Sequence, residues 1–328
     1  MKVLVTGGTG FLGRHLVERL ALEGDEVWVL GRSGQSVADL RGLGVHLVSG
    51  DLRQWPSLQK AVEGKDAIFH CGGKVEAGGR WVDFLEVNVL GTERLIQAAL
   101  EHGVRRFVHV SSIGVYPERP AGSVIREDDG YDENTGRGGY TRSKTMADQI
   151  AFWYARSRSA PITVIRPATI YGPGGKNTLV RAGVAKGGWN VVFGDGTNVL
   201  PLVYVDNVVD ALVLASRRDE AIGRAYNVVD DDRITQRQYI ERMGAALGKP
   251  HKTVYLPLGQ VRVLAASADL AKAALKGGRK SPQGMFSRIS RSLQSVQYDT
   301  ARAKAELGWK PRIDFEAAIR RLAKGERR

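Results

Sequence analysis

The sequence predicts an α/β fold, a doubly wound parallel sheet carrying a smaller, mainly helical C-terminal lobe. Three observations predict it. Short apolar runs alternate with helical patterns through the first half of the chain, and such alternation needs right-handed crossovers and a sheet covered on both faces. Gly7, Gly8, Gly10 and Gly13 stand between the first apolar run and the first helical pattern. Glycine weakens strands and helices alike, so the cluster needs a local reason. The length of 328 residues suits a large α/β unit or two lobes sharing a cleft.

The elements follow in order. Val3, Leu4 and Val5 form the first strand, and Phe11, Leu12, Leu16, Val17 and Leu20 recur at helical spacing over 11–23. Further strands are expected at 27–30, 45–48, 67–69, 107–110 and 162–165, and further helices at 83–102 and 140–159. Gly103 stands where the helix over 83–102 needs a C-cap. After Pro167 the texture changes. A loop "YGPGGKN" leads to a helix from about 178 to 186, a strand in "WNVVFGDG", and a strand then helix in "LVYVDNVVDALVLA". One more strand is expected at 224–229, and helices dominate from 235 onward. The expected division is a sheet-bearing core over 1–170, rejoined by 200–230, and a smaller lobe built from 171–199 and 231–328.

Composition bounds the function. Hydrophobic residues make up 43% and charged residues 25%, as in globular domains that need no membrane. No apolar run approaches the ~20 residues that span a bilayer, and a first strand beginning almost at Met1 leaves no room for a signal peptide. Cys71 is the single cysteine, which excludes an intrachain disulfide; no cluster has metal-ligand spacing. These features read as a cytoplasmic protein. The net charge of +13 opens nucleic acid, anionic surfaces and phosphate-bearing ligands as partners. No nucleic-acid-binding signature accompanies it, so a solvated basic surface is the simpler reading.

The glycines give the first chemical signal. Gly8-x-Gly10-x-x-Gly13, and the looser Gly7-x-x-Gly10-x-x-Gly13, fit the dinucleotide fingerprint of a Rossmann-type fold. Glycine permits the tight strand-to-helix turn and a close backbone approach to a pyrophosphate. The helix start at Phe11 and Leu12 then offers free N–H groups and the positive end of its dipole. About 20 residues further on, where an acid would select NAD, the chain reads Gly31-Arg32. A guanidinium suits a 2′-phosphate and favours NADP(H). The alternative is that Arg32 points to solvent and NAD(H) binds. Asp51, followed by Leu52, ends the third strand, either as an adenine contact or as a turn-forming aspartate.

Tyr140 and Lys144 lie four apart on an expected helix and share one face. A lysine ammonium stabilises the phenolate and draws a tyrosine from its ordinary pKa of about 10 toward neutrality. Such a tyrosine can exchange a proton with a carbonyl or alcohol. Ser111 and Ser112 end the strand before it, and ligands of doubly wound sheets bind outside the carboxyl ends of the strands.

With "TGGTGFLG" at 6–13, "GDL" at 50–52, "DAIFHCGG" at 66–73, "NVLGT" at 88–92, "VSSIGVY" at 110–116, Tyr140-x-x-x-Lys144, "RPATIYGPGG" at 166–175, "VYVDNVVDA" at 203–211 and "LGWKP" at 307–311, the chain resembles the extended short-chain dehydrogenase/reductase family over nearly its full length. The resemblance implies Tyr140 as general acid/base, Lys144 as its pKa-lowering partner and ribose ligand, and Ser112 as the group that polarises the substrate oxygen. It implies cofactor contacts from the Cys71-Gly72 loop and the region of Pro167, Thr169 and Ile170, with Asn88 supporting the loop beside the cofactor. Two departures stand out. The loop after the fourth strand reads His70-Cys71-Gly72-Gly73 where the family usually carries alanines, so His70 reads as a packed strand residue and Cys71 as a small core residue. The segment "GDGTNVLPLVYVDN" carries Leu200 and Pro201 where nucleotide-sugar members carry an Arg-Asp pair. It resembles instead the 3β-hydroxysteroid dehydrogenase/dihydroflavonol reductase-like branch.

That resemblance implies an NADP(H)-dependent oxidoreductase that interconverts a ketone and a secondary alcohol on a mostly apolar small molecule. Tyr116, Asn177 and Leu200 are its candidate substrate contacts. A nucleotide-sugar epimerase or dehydratase with tightly held cofactor is the first alternative, and a non-catalytic NADP-binding protein the second. The stretch 256–277 reads either as a lid at a membrane surface or as an ordinary amphipathic helix. A homodimer stays open. Trp28, Trp55, Trp81 and Trp153 read as core or edge packing.

Overall fold

In the computed structural model, residues 1–32, 40, 42–75, 79–133, 138–175, 184–186, 189–248, 252–257, 259–260, 267 and 295–325 are described. The first strands are β1 (Lys2–Thr6), β2 (Glu26–Gly31), β3 (His46–Ser49), β4 (Ala67–His70), β5 (Arg106–Val110), β6 (Val124–Ile125) and β7 (Ile162–Pro167). Then come β8 (Thr169–Tyr171), β9 (Val184–Lys186), β10 (Trp189–Phe193), β11 (Leu202–Tyr204), β12 (Ala225–Val228), β13 (Lys252–Leu256) and β14 (Gln297–Tyr298). Seven strands form one parallel sheet in the order β12-β7-β5-β4-β1-β2-β3. The order reverses between β1 and β4, so the chain leaves these neighbours in opposite directions and opens a crevice at their carboxyl ends.

Alternation along the strands explains the two covered faces. Val3 and Val5 of β1 point to the layer of helices α1 (Phe11–Leu22) and, later in the chain, the helix at Val205–Ser216. Leu4, Ile68, Phe107 and Val164 point the other way, onto α2 (Trp55–Val62), α3 and α4 (Gly139–Ser157). Here α3 is one helical run, with an α-turn at Trp81–Phe84, a π-helical stretch at Leu85–Leu90 and a regular helix at Gly91–Glu101. It stops as expected at Gly103, whose φ of +66° favours glycine.

Past the sheet, α5 (Val205–Ser216) returns to the first face, and α6 (Gln236–Ala246) starts in a Thr235–Gln238 capping box. The helices α7 (Ala301–Glu306) and α8 (Phe315–Ala323) close the described chain. Two differences from the sequence reading appear here. Val184–Lys186 is strand β9 and not the end of a helix, because it pairs with β10 in a three-stranded sheet β13-β10-β9. Its third member, β13, lies in a tail that reads as helical; Thr253, Val254 and Tyr255 take strand form by pairing with β10. A third apolar cluster of Tyr171, Val192, Tyr204, Tyr239 and Phe315 joins this sheet to α6 and α8. Most of the stretch 256–277 and all of Asn177 lie outside the described residues. Trp153 is 53% exposed, against the packing expected of it.

Candidate active site

The glycine turn is held by contact between backbones. Gly7 has φ +70°, and a side-chain carbon on it would lie 2.7 Å from the nitrogen of Gly72. One on Gly13 would lie 2.1 Å from the carbonyl oxygen of Gly7. The turn after β1 and the loop after β4 therefore touch at the floor of the crevice. Gly10 faces only the Gly7 oxygen at 3.2 Å. It is the N-cap of α1, without a side-chain cap and with no acid in the first turn, so no side chain takes the N–H groups of that turn. A pyrophosphate fits these donors and the dipole behind them.

At the ends of β2 and β3, Arg32 is exposed and close enough to Asp51 to help hold its carboxyl below the usual range. The larger cause is Arg53, which donates to Asp51 from Nε (3.0 Å) and Nη2 (2.7 Å). Asp51 is thus already engaged by its own turn. Leu52 is buried in the second cluster, where Gly91 packs against its Cβ.

The loop after β4 hangs on a directional chain of hydrogen bonds that runs through His70. The N–H of Gly72 donates to Thr6 Oγ1 (3.1 Å), and Thr92 Oγ1 donates to the carbonyl of Asn88 (2.6 Å). These leave the Thr6 hydroxyl proton for His70 Nδ1 (2.7 Å) and require His70 Nε2–H to donate to Thr92 (2.8 Å). Burial holds His70 and its neighbour His109 well below the usual histidine range, so both are neutral. His70 is a packed positioning residue. Burial also pushes the Cys71 thiol up to about 12, which argues against a nucleophile.

Asn88 sits in the π-helical stretch of α3, and its side chain ties three elements. It accepts from the N–H of Lys74 (2.6 Å) and donates to the Lys74 carbonyl (3.0 Å) and to Ser143 Oγ (2.9 Å) on α4. Ser143 in turn donates to the carbonyl of Tyr140 (2.7 Å). Tyr140 lies half-buried in the first turn of α4. One turn on, the buried Lys144 donates through Nζ to the carbonyl of Val110 (2.7 Å), the last residue of β5. Burial lowers the lysine to about 8. Ser112 follows two residues after that carbonyl, caps the turn at Ile113–Val115 and accepts from the N–H of Gly114 (3.1 Å). Gly114 faces both Ser112 Oγ and Thr141 Oγ1, which places the Ser112 turn against the start of α4. Ser112 and the Lys144 ammonium thus lie at the end of β5, with Tyr140 one helical turn before Lys144 on α4.

Pro167 ends β7, and Thr169 and Ile170 open β8, with the Thr169 N–H bonded to the Pro201 carbonyl. Leu200 packs at the margin of the third apolar cluster. Tyr116 is a correction. It is buried to 2% exposure and does not line a cleft; its hydroxyl donates to Asn227 Oδ1 (2.6 Å) and accepts from Arg166 Nη1 (2.8 Å). The turn after Ser112 swings its ring under the sheet end and away from the crevice. Sequence reasoning also missed Thr6, Thr92, Asp148 and Arg166. Arg166 carried a usable signal, since a charged residue in a buried parallel strand requires a partner.

A cavity of about 540 Å³ opens beside α4, over Arg166, Tyr131 and Trp153, and none of the sequence-predicted site residues lines it. The glycine turn, Tyr140 and Lys144 are not among its lining residues.

Among known proteins, the family model of the NAD-dependent epimerase/dehydratase family matches residues 3–228. The chain belongs to that family. It is a member of the extended short-chain dehydrogenase/reductases, enzymes that use NAD(P) on CH–OH groups and the matching ketones. Within the family, it is 29% identical to a 2-alkyl-3-oxoalkanoate reductase of Stenotrophomonas maltophilia (strain K279a), over 98% of each chain. It is 28% identical to a 3β-hydroxysteroid-dehydrogenase/decarboxylase, isoform 1, of Arabidopsis thaliana, over 97% of this chain and 78% of that one. A dTDP-glucose 4,6-dehydratase of Streptomyces venezuelae, solved with NAD bound, superposes with a TM-score of 0.74 at 26% identity, over 99% and 96% of the two chains. Among the described residues no helix is long and apolar enough to cross a membrane.

Proposed function

We propose that the protein is an NADP(H)-dependent oxidoreductase that interconverts a ketone and a secondary alcohol on a mostly apolar substrate, sterol-like or β-keto-acyl-like. One observation carries the reading: Lys144, one helical turn from Tyr140, is buried on the carbonyl of Val110, two residues before Ser112. When bound, the dinucleotide supplies or accepts the hydride. The Gly7–Gly13 turn and the start of α1 would hold its pyrophosphate, and Arg32 would take the 2′-phosphate. In the reducing direction the Ser112 hydroxyl donates a hydrogen bond to the substrate carbonyl oxygen. Tyr140 passes its phenolic proton to that oxygen as it becomes the alcohol. The Lys144 ammonium stabilises the phenolate left behind, and bulk water returns the proton.

The names of the reductase and of the sterol enzyme support an apolar substrate, as does Leu200 in place of the arginine found in nucleotide-sugar members. The second reading, a nucleotide-sugar epimerase or dehydratase, is favoured by the likeness to the dTDP-glucose enzyme. Such an enzyme retains its cofactor through purification and consumes none in turnover.

The test is calorimetric titration with NADPH and NADH, followed by a panel of 2-alkyl-3-oxo acids and cyclic ketones read by cofactor absorbance. NADPH is expected to bind more tightly, and Tyr140→Phe to lower kcat by about 10²–10⁴-fold with cofactor affinity retained. Equal affinities would remove the role of Arg32, and unchanged turnover in Tyr140→Phe would remove the mechanism.

A further inference from the structure

The side chain that follows Lys144 by one more helical turn is Asp148, fully buried and used by none of the steps above. Its four acceptor positions are filled. Oδ1 accepts from Tyr131 OH (2.8 Å) and Arg166 Nη2 (3.0 Å), and Oδ2 accepts from Ser111 Oγ (2.5 Å) and Arg166 Nε (3.0 Å). Four donors on one carboxyl group leave no place for a proton, so Asp148 is a carboxylate. Arg166, on the neighbouring β7, spends its remaining N–H groups on Tyr116 OH (2.8 Å), the Glu127 carbonyl (2.9 Å) and Tyr131 OH (3.2 Å). The pair is therefore locked from both sides.

Its placement matters more than its strength. A buried ion pair is often replaceable by apolar residues without loss of stability, so burial by itself does not explain this one. Lys144 and Asp148 grip two successive residues at the end of β5, the carbonyl of Val110 and the hydroxyl of Ser111. The next residue is Ser112. The N–H of Ser111 is in turn bonded to Ile165 of β7 (2.7 Å), beside Arg166. Beside this ladder bond, the side chains that hold the end of β5 come from successive turns of α4, Lys144 on Val110 and Asp148 on Ser111.

The charges around Lys144 point the same way. Within its electrostatic reach are Cys71 and His70 from β4 and its loop, His109 from β5 and Asp148 from α4 itself, with Tyr140 one helical turn away and Arg166 of β7 paired to Asp148. The two histidines are neutral, and the Cys71 thiol keeps its proton at pH 7. Asp148 is the carboxylate of this set.

We infer that Asp148, clamped by Arg166, is a positioning residue for the candidate site: it fixes the end of β5 through Ser111 and supplies the counter-charge that keeps Lys144 an ammonium. This rests on the reading in which Lys144 serves Tyr140. The test follows the titration of Lys144 by NMR of protein labelled with ¹³Cε-lysine, the resonance being assigned with Lys144→Arg. In Asp148→Asn the midpoint is expected to fall by about one pH unit, a tenfold loss of proton affinity. Because that variant leaves Arg166 buried without its carboxylate, Asp148→Asn/Arg166→Met is the counterpart that removes both charges, and its midpoint is expected to fall as well. A midpoint unchanged from the parent protein in either folded variant would overturn the inference. The readout needs no substrate. A ketone panel without turnover sinks the proposed function and leaves this measurement standing, whereas turnover with an unmoved midpoint sinks the inference alone.

Discussion

Lys144 keeps a cation where water cannot reach it, and that has a measurable cost. Burial lowers it from the ordinary 10.5 to about 8. Between these two values the unfolded chain binds the proton more firmly than the folded one, so stability rises with pH across that window. The penalty is complete below pH 8 and gone above 10.5; at about 1.4 kcal/mol per pH unit it amounts to about 3 kcal/mol. Replacing the ammonium with a thioether of similar length removes this penalty and forfeits the charge-assisted bond to Val110, worth about 1.5–3 kcal/mol. Lys144→Met is therefore expected to be more stable by at most about 1.5 kcal/mol at pH 7 in urea denaturation, with its stability relative to the parent falling at pH 9.5, and to have lost turnover. A destabilised variant, or a gain indifferent to pH, would contradict the burial argument. The Tyr140–Lys144 spacing was readable in the sequence. Asp148 was not, because an aspartate on a helix looks solvated until Arg166 and Ser111 arrive from two other elements.

The glycine turn assigns different work to each of its glycines. Gly13 is required by the protein itself, since an added carbon would strike the Gly7 oxygen at 2.1 Å. Gly13→Ala is expected to lose about 1–3 kcal/mol of stability as well as dinucleotide binding. Gly10 has open space beyond the Gly7 oxygen, so Gly10→Ala is expected to change stability by less than about 1 kcal/mol, the helix-propensity scale. Its NADPH affinity should nevertheless fall by roughly tenfold or more, because the added methyl group stands where the phosphates approach. Thermal melts with and without NADPH separate the two effects; equal melts for both variants would show that the turn serves folding alone. The strand–glycine–helix order made this element legible from the sequence. The touch between Gly7 and Gly72 was not, since 64 residues and three strands intervene.

At the scale of the whole molecule, the C-terminal tail is part of the core. Trp309 is fully buried, and its Nε1 donates to the carbonyl of Asn207 (2.8 Å) on α5. The Asn207 side chain accepts from the N–H groups of Arg312 (3.0 Å) and Ile313 (3.1 Å) and donates to Asp230 (2.7 Å). One amide thus joins α5, the end of β12 and the segment between α7 and α8. Trp309→Ala is expected to cost about 3–5 kcal/mol, from lost transfer free energy and the cavity left behind. Equilibrium denaturation measures it, and a loss under about 1 kcal/mol would show the tail to be a peripheral appendage.

The sequence by itself determined the sheet's parallel character, the dinucleotide turn and the Tyr140–Lys144 face. Each depends on periodicity or spacing within one or two adjacent elements, which short-range sterics and hydrogen bonding enforce. The tertiary structure decided the rest. It turned Tyr116 into a buried partner of Arg166, made Val184–Lys186 and Lys252–Leu256 strands through β10, and placed a carboxylate behind the lysine. In each case the deciding contact joins residues far apart in the chain, and the free energy of burying a polar group is set by whichever distant partner meets it.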